Sequence, residues 1–280
     1  MDPTNRHYGH AHVFARYCGL TRSLNAGPPP PRIAGMVQHG WTFVHGFGAG
    51  HKVVNGYPKF VWSDVVLRRG RALGWRDFCV IGAPWNYLQA LQPDASEPVD
   101  RERSGTLWYP FHGWDRNELN GDHRRLIDEI KATEPGPVTV CLYWLEHRRR
   151  RVRRAYEKAG FRVICHGPRD DNPEFLPRQL AELRKHRRVA SNRLTTAVFY
   201  GVSAGCEPAV YGDPMLMERV SPLYEGKDLV PRLYPELHGT DVDLATAREI
   251  TATELGADQL VPPDELRLLF RWPEHTEDAR

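Results

Sequence analysis

The residues best suited to chemistry follow the apolar runs of the sequence. Three of them are histidines paired with glycine, at His39-Gly40, His112-Gly113 and His166-Gly167. A glycine allows close approach to the backbone, and a histidine beside it supplies a proton or a hydrogen bond near neutral pH. One such pair means little, but three pairs at corresponding places indicate a functional surface built from strand ends.

A fourth polar group, the stretch from Ser191 to Thr196, opens an apolar run of helical length. Two interpretations stay open at this point. Ser191 or Asn192 can cap the helix, with the two threonines completing its first turn. Alternatively, the helix N-terminus holds a phosphate through its N–H groups and the positive end of its dipole.

The elements that position these residues alternate between strand and helix from about residue 106 onward. Continuous apolar strands in strict β-α-β-α order predict a parallel sheet covered on both faces. The predicted strands are 106–112, 136–144, 161–167, 187–191 and 207–212, and the predicted helices are 122–133, 148–160, 172–185 and 192–205.

The first part of the chain has a looser pattern. It predicts strands at 32–38, 59–63 and 77–82, with helices at 10–20 and 64–74 and a further helix near 263–270. Residues 91–104 are polar, contain proline and indicate a linker. The predicted fold is α/β, with two Rossmann-like parallel-sheet domains that face a cleft. The short N-terminal domain covers residues 1–100, and the second covers 101–280 and ends in a helical tail.

Ligands of such folds bind at the carboxyl ends of the strands, so the residues there are the candidate site. The candidates after the first strand of the short domain are Gln38, His39 and Trp41. Those of the second domain are His112, Trp114, Asp115, Tyr143, Glu146, His166, Gly167, Arg169, Ser191, Asn192, Thr195 and Thr196.

Composition excludes several other classes of protein. The 280 residues carry a formal net charge of +3, too small for a surface that coats polyanions such as nucleic acid. The five cysteines are scattered and form no C-x-x-C pair, which indicates buried thiols in a reducing compartment. No run approaches the ~20 apolar residues of a membrane span, and the N-terminus lacks an apolar signal region. We therefore expect a cytoplasmic protein.

Two further clusters have an ordinary interpretation beside a functional one. Arg148, Arg149, Arg150 and Arg151 belong to a basic run that is typical of a solvated helix face, yet arginines in a first helical turn oppose the dipole unless an anion is near. They can attract phosphate, or contact acidic lipid head groups weakly at a membrane surface. The histidines of "HYGHAH" do not share one helix face, so no metal site is predicted.

Taken in order, "QHGW", "FVWSD…GW…VIGAP", "TLWYPFHGWD", "ICHG" and "SNRLTTAVFYGVSAGCEPAVYGDP" resemble GT-B-type glycosyltransferases of bacterial surface polysaccharides. That group includes capsule, CDP-glycerol and CMP-sugar transferases, and the resemblance spans residues 33 to 214. It implies that the second domain holds a nucleotide-sugar donor. The first domain would serve a polysaccharide or glycolipid acceptor.

The resemblance also implies roles for single residues. His39 would deprotonate an acceptor hydroxyl, His166 would contact the donor phosphate, and Ser191, Asn192 and Thr195 would hold phosphate at the helix start. A base with a pKa near 7 and a stabilised leaving phosphate meet the needs of sugar transfer without a metal or a bound cofactor. On this basis we favour phosphate binding over plain capping for Ser191 to Thr196.

Two alternatives use the same fold. A nucleotide-sugar epimerase or hydrolase needs acidic groups as well as bases, and Asp115, Glu146, Asp170 or Asp171 can supply them. A non-catalytic protein that binds nucleotide or carbohydrate needs only the pocket. Turnover without any acceptor separates the first alternative from a transferase, and loss of turnover in His39→Ala separates the transferase from the second.

Overall fold

A computed structural model describes residues 5, 7–24, 29–44, 46–47, 56–93, 103–113, 119–217 and 226–273. Two predicted site residues, Trp114 and Asp115, lie outside these ranges. The chain divides into two α/β units. The first unit comprises Met1–Ala95, Arg169–Pro177 and Ala252–Arg280, and the second comprises Ser96–Pro168 and Arg178–Thr251.

The strands of the described residues are short and mostly buried. They are β1 (Met36–Val37), β2 (Lys59–Val61), β3 (Phe78–Val80), β4 (Thr106–Tyr109), β5 (Leu119–Asn120), β6 (Val138–Cys141), β7 (Arg162–Ile164), β8 (Arg188–Ser191), β9 (Glu207–Val210) and β10 (Leu216–Met217).

Helices alternate with these strands along most of the chain. They are α1 (His10–Tyr17), α2 (Asp64–Ala72), α3 (Pro84–Leu91), α4 (His123–Thr133), α5 (Trp144–Arg148), α6 (Arg150–Lys158), α7 (Phe175–Leu183), α8 (Thr196–Ser203), α9 (Val230–Leu233), α10 (Leu244–Leu255) and α11 (Pro263–Phe270). Single 3-10 turns cover His7–Gly9 and Pro235–Leu237.

The second unit is built on a five-stranded sheet in the order β7-β6-β4-β8-β9, with every neighbouring pair parallel. β5 and β10 form a separate antiparallel pair. The amphipathic helix α4 shows why the layers form. Asp122 caps it by accepting the N–H of Arg124 at 2.8 Å, while Leu126 and Ile130 bury their side chains against the sheet core around Trp108.

The first unit holds a smaller parallel sheet in the order β1-β2-β3. Its core includes the rings of Phe14, Phe60 and Phe270, with centroids 5.2 Å apart between Phe14 and Phe270 and 4.9 Å apart between Phe60 and Phe270. Phe270 belongs to α11, so the C-terminal helix packs in the first unit. The sequence pattern instead predicts this helix as a tail of the second domain.

These two parallel sheets confirm the predicted α/β fold with two Rossmann-like halves. One boundary differs from the prediction. The helix expected from residue 192 begins at Thr196, and Ser191 is the last residue of β8. The intervening residues form a loop, because the side chains of Asn192 and Arg193 are used to hold neighbouring backbone rather than to begin a helix.

Candidate active site

The strand order of the second unit defines where a ligand would bind. The chain passes from β4 outward through β6 and β7, then crosses back to β8 on the other side of β4. β4 and β8 are therefore adjacent strands whose connections run in opposite directions. In doubly wound sheets the crevice outside the carboxyl ends of such a strand pair is the usual ligand site. Here it is bordered by residues 110–113 and 192–195.

Asn192 joins the two loops of this crevice. The side-chain oxygen Oδ1 accepts the N–H of Phe111 at 2.7 Å, and Nδ2 donates to the carbonyl of Asp213 at 2.7 Å. Ser191 is fully buried, and its Oγ accepts the N–H of Arg193 at 3.3 Å. Both predicted site residues thus have their polar atoms engaged in holding the loop.

Arg193 lies on the same loop and is not among the candidate residues that the sequence pattern indicates. It is buried, with its guanidinium 4.0 Å from the ring centroid of Phe111 and donating to the carbonyls of Pro214 and Met215. A buried arginine three residues before a helix adds positive charge at this strand end. The sequence does contain a pattern that points to Arg193, because it lies between the candidate residues Asn192 and Thr195 directly after an apolar strand.

The start of α8 offers unused hydrogen-bonding capacity. Thr195 occupies the N-cap position in extended conformation, but its side chain caps nothing. Its Oγ1 is buried and finds no partner within the described part of the chain. The carbonyl of Thr195 accepts the N–H groups of Val198 and Phe199 at 3.0 and 3.4 Å. A hydroxyl beside first-turn amides, at the positive end of a dipole, suits an anionic oxygen.

His112 lies on the loop after β4 and stacks on Tyr143, which follows β6. The two rings are 3.9 Å apart and inclined by 11°. Nδ1 of His112 donates to the carbonyl of Gly113 at 2.8 Å. This bond places the lone pair of the neutral ring on Nε2, the arrangement that a general base requires.

Glu146 supplies a buried carboxyl group to the same loop. It accepts the N–H of Gly113, and its Oε2 has no partner among the residues that the structure describes. Burial raises the pKa of Glu146, against the opposing influence of N–H groups and of Arg149. Gly113 therefore connects two titratable groups, through its carbonyl to His112 and through its N–H to Glu146.

His166 and Gly167 follow β7. His166 is buried, and burial lowers its pKa to about 4, so the ring is neutral at pH 7. Its Nε2 lies 3.1 Å from the hydroxyl of Tyr109. Gly167 has a φ of +95°, which favours glycine, and donates its N–H to Cys165 Sγ at 3.2 Å. Any phosphate contact by His166 would be made by a neutral ring.

The remaining predicted residues belong to the first unit. Gln38 is fully buried, where Oε1 accepts the N–H of Trp62 and Nε2 donates to the carbonyl of Gly40. Trp41 donates its indole N–H to Glu254 at 2.9 Å. His39 follows β1 and is half-buried.

Arg169 was predicted to bind phosphate together with the residues of the second unit. It is instead grouped with the first unit, where its Nε lies 3.3 Å from a carboxylate oxygen of Asp170. Within the second unit the structure brings His112, Tyr143 and Glu146 together around one loop. Thr195 and Thr196 lie at the end of the adjacent strand, held to that loop through Asn192.

The described residues contain no group of three or more side chains suited to hold a metal ion. In the same part of the chain, none of the helices has the length and apolar character needed to cross a bilayer. The five cysteines are free thiols.

No protein-family model matches the chain, and no curated protein matches it either. Among solved structures it is similar to a co-structure of S. aureus MnaA with UDP, with a TM-score of 0.38 and 11% identity over 80% of this chain. The chain spans 62% of the length of that protein. A similarity of this size assigns neither a family nor a functional site. The candidate site is therefore argued from the residues of this chain alone.

Proposed function

We propose that the second unit binds a nucleotide sugar and that the protein transfers the sugar to a hydroxyl group of a cell-envelope polysaccharide or glycolipid. The observation that carries this proposal is the crevice between β4 and β8. One side offers the hydroxyl of Thr195 at the start of α8, for which the described residues supply no partner, and the other offers His112 and Glu146 on a shared loop.

The phosphate groups of the donor would bind at the start of α8. The hydroxyl of Thr195 would donate a hydrogen bond to a phosphate oxygen. The first-turn amides, including that of Thr196, would help to stabilise the negative charge of the phosphate. The buried charge of Arg193 adds attraction for an anion at this end of β8. Ser191 and Asn192 would position the loop rather than touch the phosphate, since their polar atoms are engaged with the backbone.

The sugar or ribose hydroxyls would bind on the β4 side. A carboxyl group such as Glu146 accepts hydrogen bonds from hydroxyls, and the stacked pair of His112 and Tyr143 offers a flat face for a ring. As negative charge grows on the leaving phosphate, the helix start stabilises it. His39 of the first unit stays a predicted acceptor base, to be tested by turnover of His39→Ala.

A nucleotide-sugar epimerase or hydrolase is the second candidate. The observation that favours it is Glu146, a buried carboxyl group with a raised pKa on the same loop as a histidine whose lone pair lies on Nε2. Such a pair can donate and accept a proton in one site. Product formation from the nucleotide sugar alone, without acceptor, would favour this candidate over the transferase.

The first test is thermal stabilisation by UDP, GDP, CDP, CMP and dTDP. A ligand present at 100 times its Kd adds ~2.7 kcal/mol to the free energy of unfolding, which raises the melting temperature measurably. We expect one nucleotide to stabilise the wild type selectively. Thr195→Val should weaken that response about tenfold or more in Kd, because a methyl group replaces the donor hydroxyl.

Asp122→Ala provides the matched control for capping. Asp122 caps α4 by a hydrogen bond, so its loss should cost about 1 kcal/mol of stability and leave nucleotide affinity unchanged. Thr195→Val should leave stability unchanged, since no cap hydrogen bond is lost at α8, and should lower nucleotide affinity. If Thr195→Val lowers stability like Asp122→Ala and leaves the nucleotide response intact, the stretch serves capping alone. The proposed phosphate site is then wrong.

A further inference from the structure

A loop of the second unit supports the two polar residues that follow β8. This segment, residues 211–215, comes directly after β9 and is called the 211–215 loop. Asn192 donates from Nδ2 to the carbonyl of Asp213 at 2.7 Å, and the guanidinium of Arg193 donates to two further carbonyls of the loop. The position of the 211–215 loop therefore decides where Asn192 and Arg193 lie.

Helix α4 holds this loop from its other side. Oε2 of Glu129 accepts the N–H of Asp213 at 2.9 Å, and Oε1 accepts the Nε–H of Arg125 at 3.1 Å. Nη1 of Arg125 in turn lies 3.5 Å from Oδ2 of Asp213. The side chain of Arg125 is 66% exposed, and ion pairs at such a surface contribute little to the free energy of unfolding. The contact that distinguishes Glu129 from an ordinary surface ion pair is its hydrogen bond to the loop.

The loop and the helix approach each other more closely than most side chains would permit. Gly212 has a φ of +95°, and a Cβ atom on it would lie 2.9 Å from Oε2 of Glu129 and 3.2 Å from Cδ1 of Leu126. A Cβ atom on Gly121, which precedes α4, would overlap Cγ of Met215. Met215 has a φ of 47°, a backbone conformation that persists only where surrounding contacts determine it. The loop is thus fitted closely to the α4 segment at two places.

A continuous series of hydrogen bonds leads from Glu129 to the β4 side of the crevice. Glu129 accepts the N–H of Asp213, whose carbonyl accepts from Asn192. Oδ1 of Asn192 then accepts the N–H of Phe111 at 2.7 Å. Because Asn192 lies three positions before Thr195, the same series holds the segment that leads to the start of α8. A binding group has to be held within about 0.5 Å of its productive position, and supporting hydrogen bonds provide this precision.

We propose that Glu129 is a positioning residue of the phosphate site at the start of α8. Its carboxylate holds the 211–215 loop, and the loop supports Asn192 ahead of Thr195. The inference deepens the proposed nucleotide-sugar function and rests on it. Glu129 acts through its acceptor oxygen and not through its charge, because a carboxylate beside a phosphate would repel it and the charge of Glu129 is paired with that of Arg125.

Two substitutions separate the acceptor oxygen of Glu129 from its charge. Glu129→Gln keeps the length of the side chain and an oxygen that can accept the N–H of Asp213, but it removes the charge. Glu129→Asp keeps the charge and shortens the side chain by one carbon–carbon bond of about 1.5 Å, which withdraws the oxygen from the loop. Glu157→Asp is the matched control, since Glu157 forms the same kind of ion pair, with Arg153 four positions earlier at 3.3 Å, on helix α6.

Isothermal titration calorimetry with the nucleotide that stabilises the wild type measures the effect on binding. We expect Glu129→Asp to raise Kd by about tenfold or more and Glu129→Gln to raise it by about threefold or less, because only the first loses the hydrogen bond to the loop. Glu157→Asp should leave Kd unchanged. An equal rise in Kd for both variants of Glu129, or a lower Kd in Glu129→Gln, would overturn the inference, since the charge would then decide affinity.

Amide hydrogen exchange, measured by NMR without nucleotide, tests the series of hydrogen bonds itself. In Glu129→Asp we expect the amide of Asp213 to exchange about tenfold faster than in the wild type, because its acceptor is withdrawn. The amide of Phe111 should also exchange faster, since its acceptor Asn192 loses support from the loop. Unchanged exchange at Phe111 would confine the effect to the loop and contradict a positioning role.

The two measurements distinguish failure of this inference from failure of the proposed function. If the wild type binds a nucleotide and Glu129→Asp binds it equally well, the role of Glu129 is wrong and the proposed function stands. If the wild type binds none of the nucleotides tested, the proposed function fails and the role of Glu129 fails with it. Weaker binding in Glu129→Asp, restored in Glu129→Gln and accompanied by faster exchange at Phe111, supports both.

Discussion

At the scale of single residues, side chains of one chemical type differ in protonation and hydrogen bonding according to how deeply they are buried. His112 is half-buried and has its lone pair on Nε2, whereas His166 is enclosed and neutral. The sequence pattern treats them alike, because each precedes a glycine after a strand. Their difference arises from the atoms that surround each ring, which a local pattern does not contain.

The enclosed state of His166 predicts a pH dependence of stability. Burial lowers the pKa of His166 in the folded state to about 4, below the value of 6.5 in the unfolded chain. Between these two pH values the unfolded state therefore binds more protons than the folded state. As the pH falls from 6.5 towards 4, the free energy of unfolding decreases by about 3 kcal/mol. His166→Gln should remove this contribution to the pH dependence of stability.

The measurement is urea unfolding of the wild type and of His166→Gln at pH 7, 5.5 and 4.5. Burial also lowers the pKa of His10, His123 and His186, so the variant should keep part of the dependence. The informative quantity is the difference between the two slopes. Parallel slopes would show that His166 is not enclosed as the structure has it.

At the scale of elements, the position of α8 depends on one glycine. A Cβ atom on Gly201 would lie 2.4 Å from Cγ1 of Val189 in β8, so the helix approaches the strand more closely than any other residue permits. This contact sets where the N-terminus of α8, and with it Thr195, lies relative to the end of β8.

Gly201→Ala tests that contact. Alanine favours a helix by about 1 kcal/mol over glycine, but overpacking a core costs about 1–3 kcal/mol, so we expect a net loss of up to about 2 kcal/mol. Urea unfolding measures this loss, and Val189→Ala in the same chain should recover part of it. Gly136→Ala is the control, since its nearest neighbour is 3.8 Å away. Equal stability of the two variants would contradict the close packing.

At the scale of the whole molecule, charge is distributed unevenly. The formal net charge is only +3, yet Arg148, Arg149, Arg150 and Arg151 are all exposed at the end of α5 and the start of α6. Four like charges at the positive end of a helix dipole repel one another unless an anion is near. Contact with acidic lipid head groups stays a prediction of the sequence.

A vesicle experiment decides this prediction. The wild type should sediment with phosphatidylserine vesicles at low salt and be released at high salt, with roughly 1 kcal/mol of binding free energy per arginine. Arg150→Glu/Arg151→Glu should abolish the binding, while Arg232→Glu, an exposed arginine elsewhere in the second unit, should not. Equal sedimentation of both variants, or none by the wild type, would leave the arginines as a solvated helix face.

The sequence by itself determined the class of fold, because β-α alternation and apolar strands are local patterns that a parallel sheet requires. It also selected the strand ends that carry His112, Glu146 and Thr195. Only the tertiary structure decided that Ser191 and Asn192 are engaged with the backbone and that Arg193 is buried. It alone paired His7 with Asp170 across 163 positions. Such contacts depend on segments that meet after folding, and neither periodicity nor spacing records which partners those segments bring together.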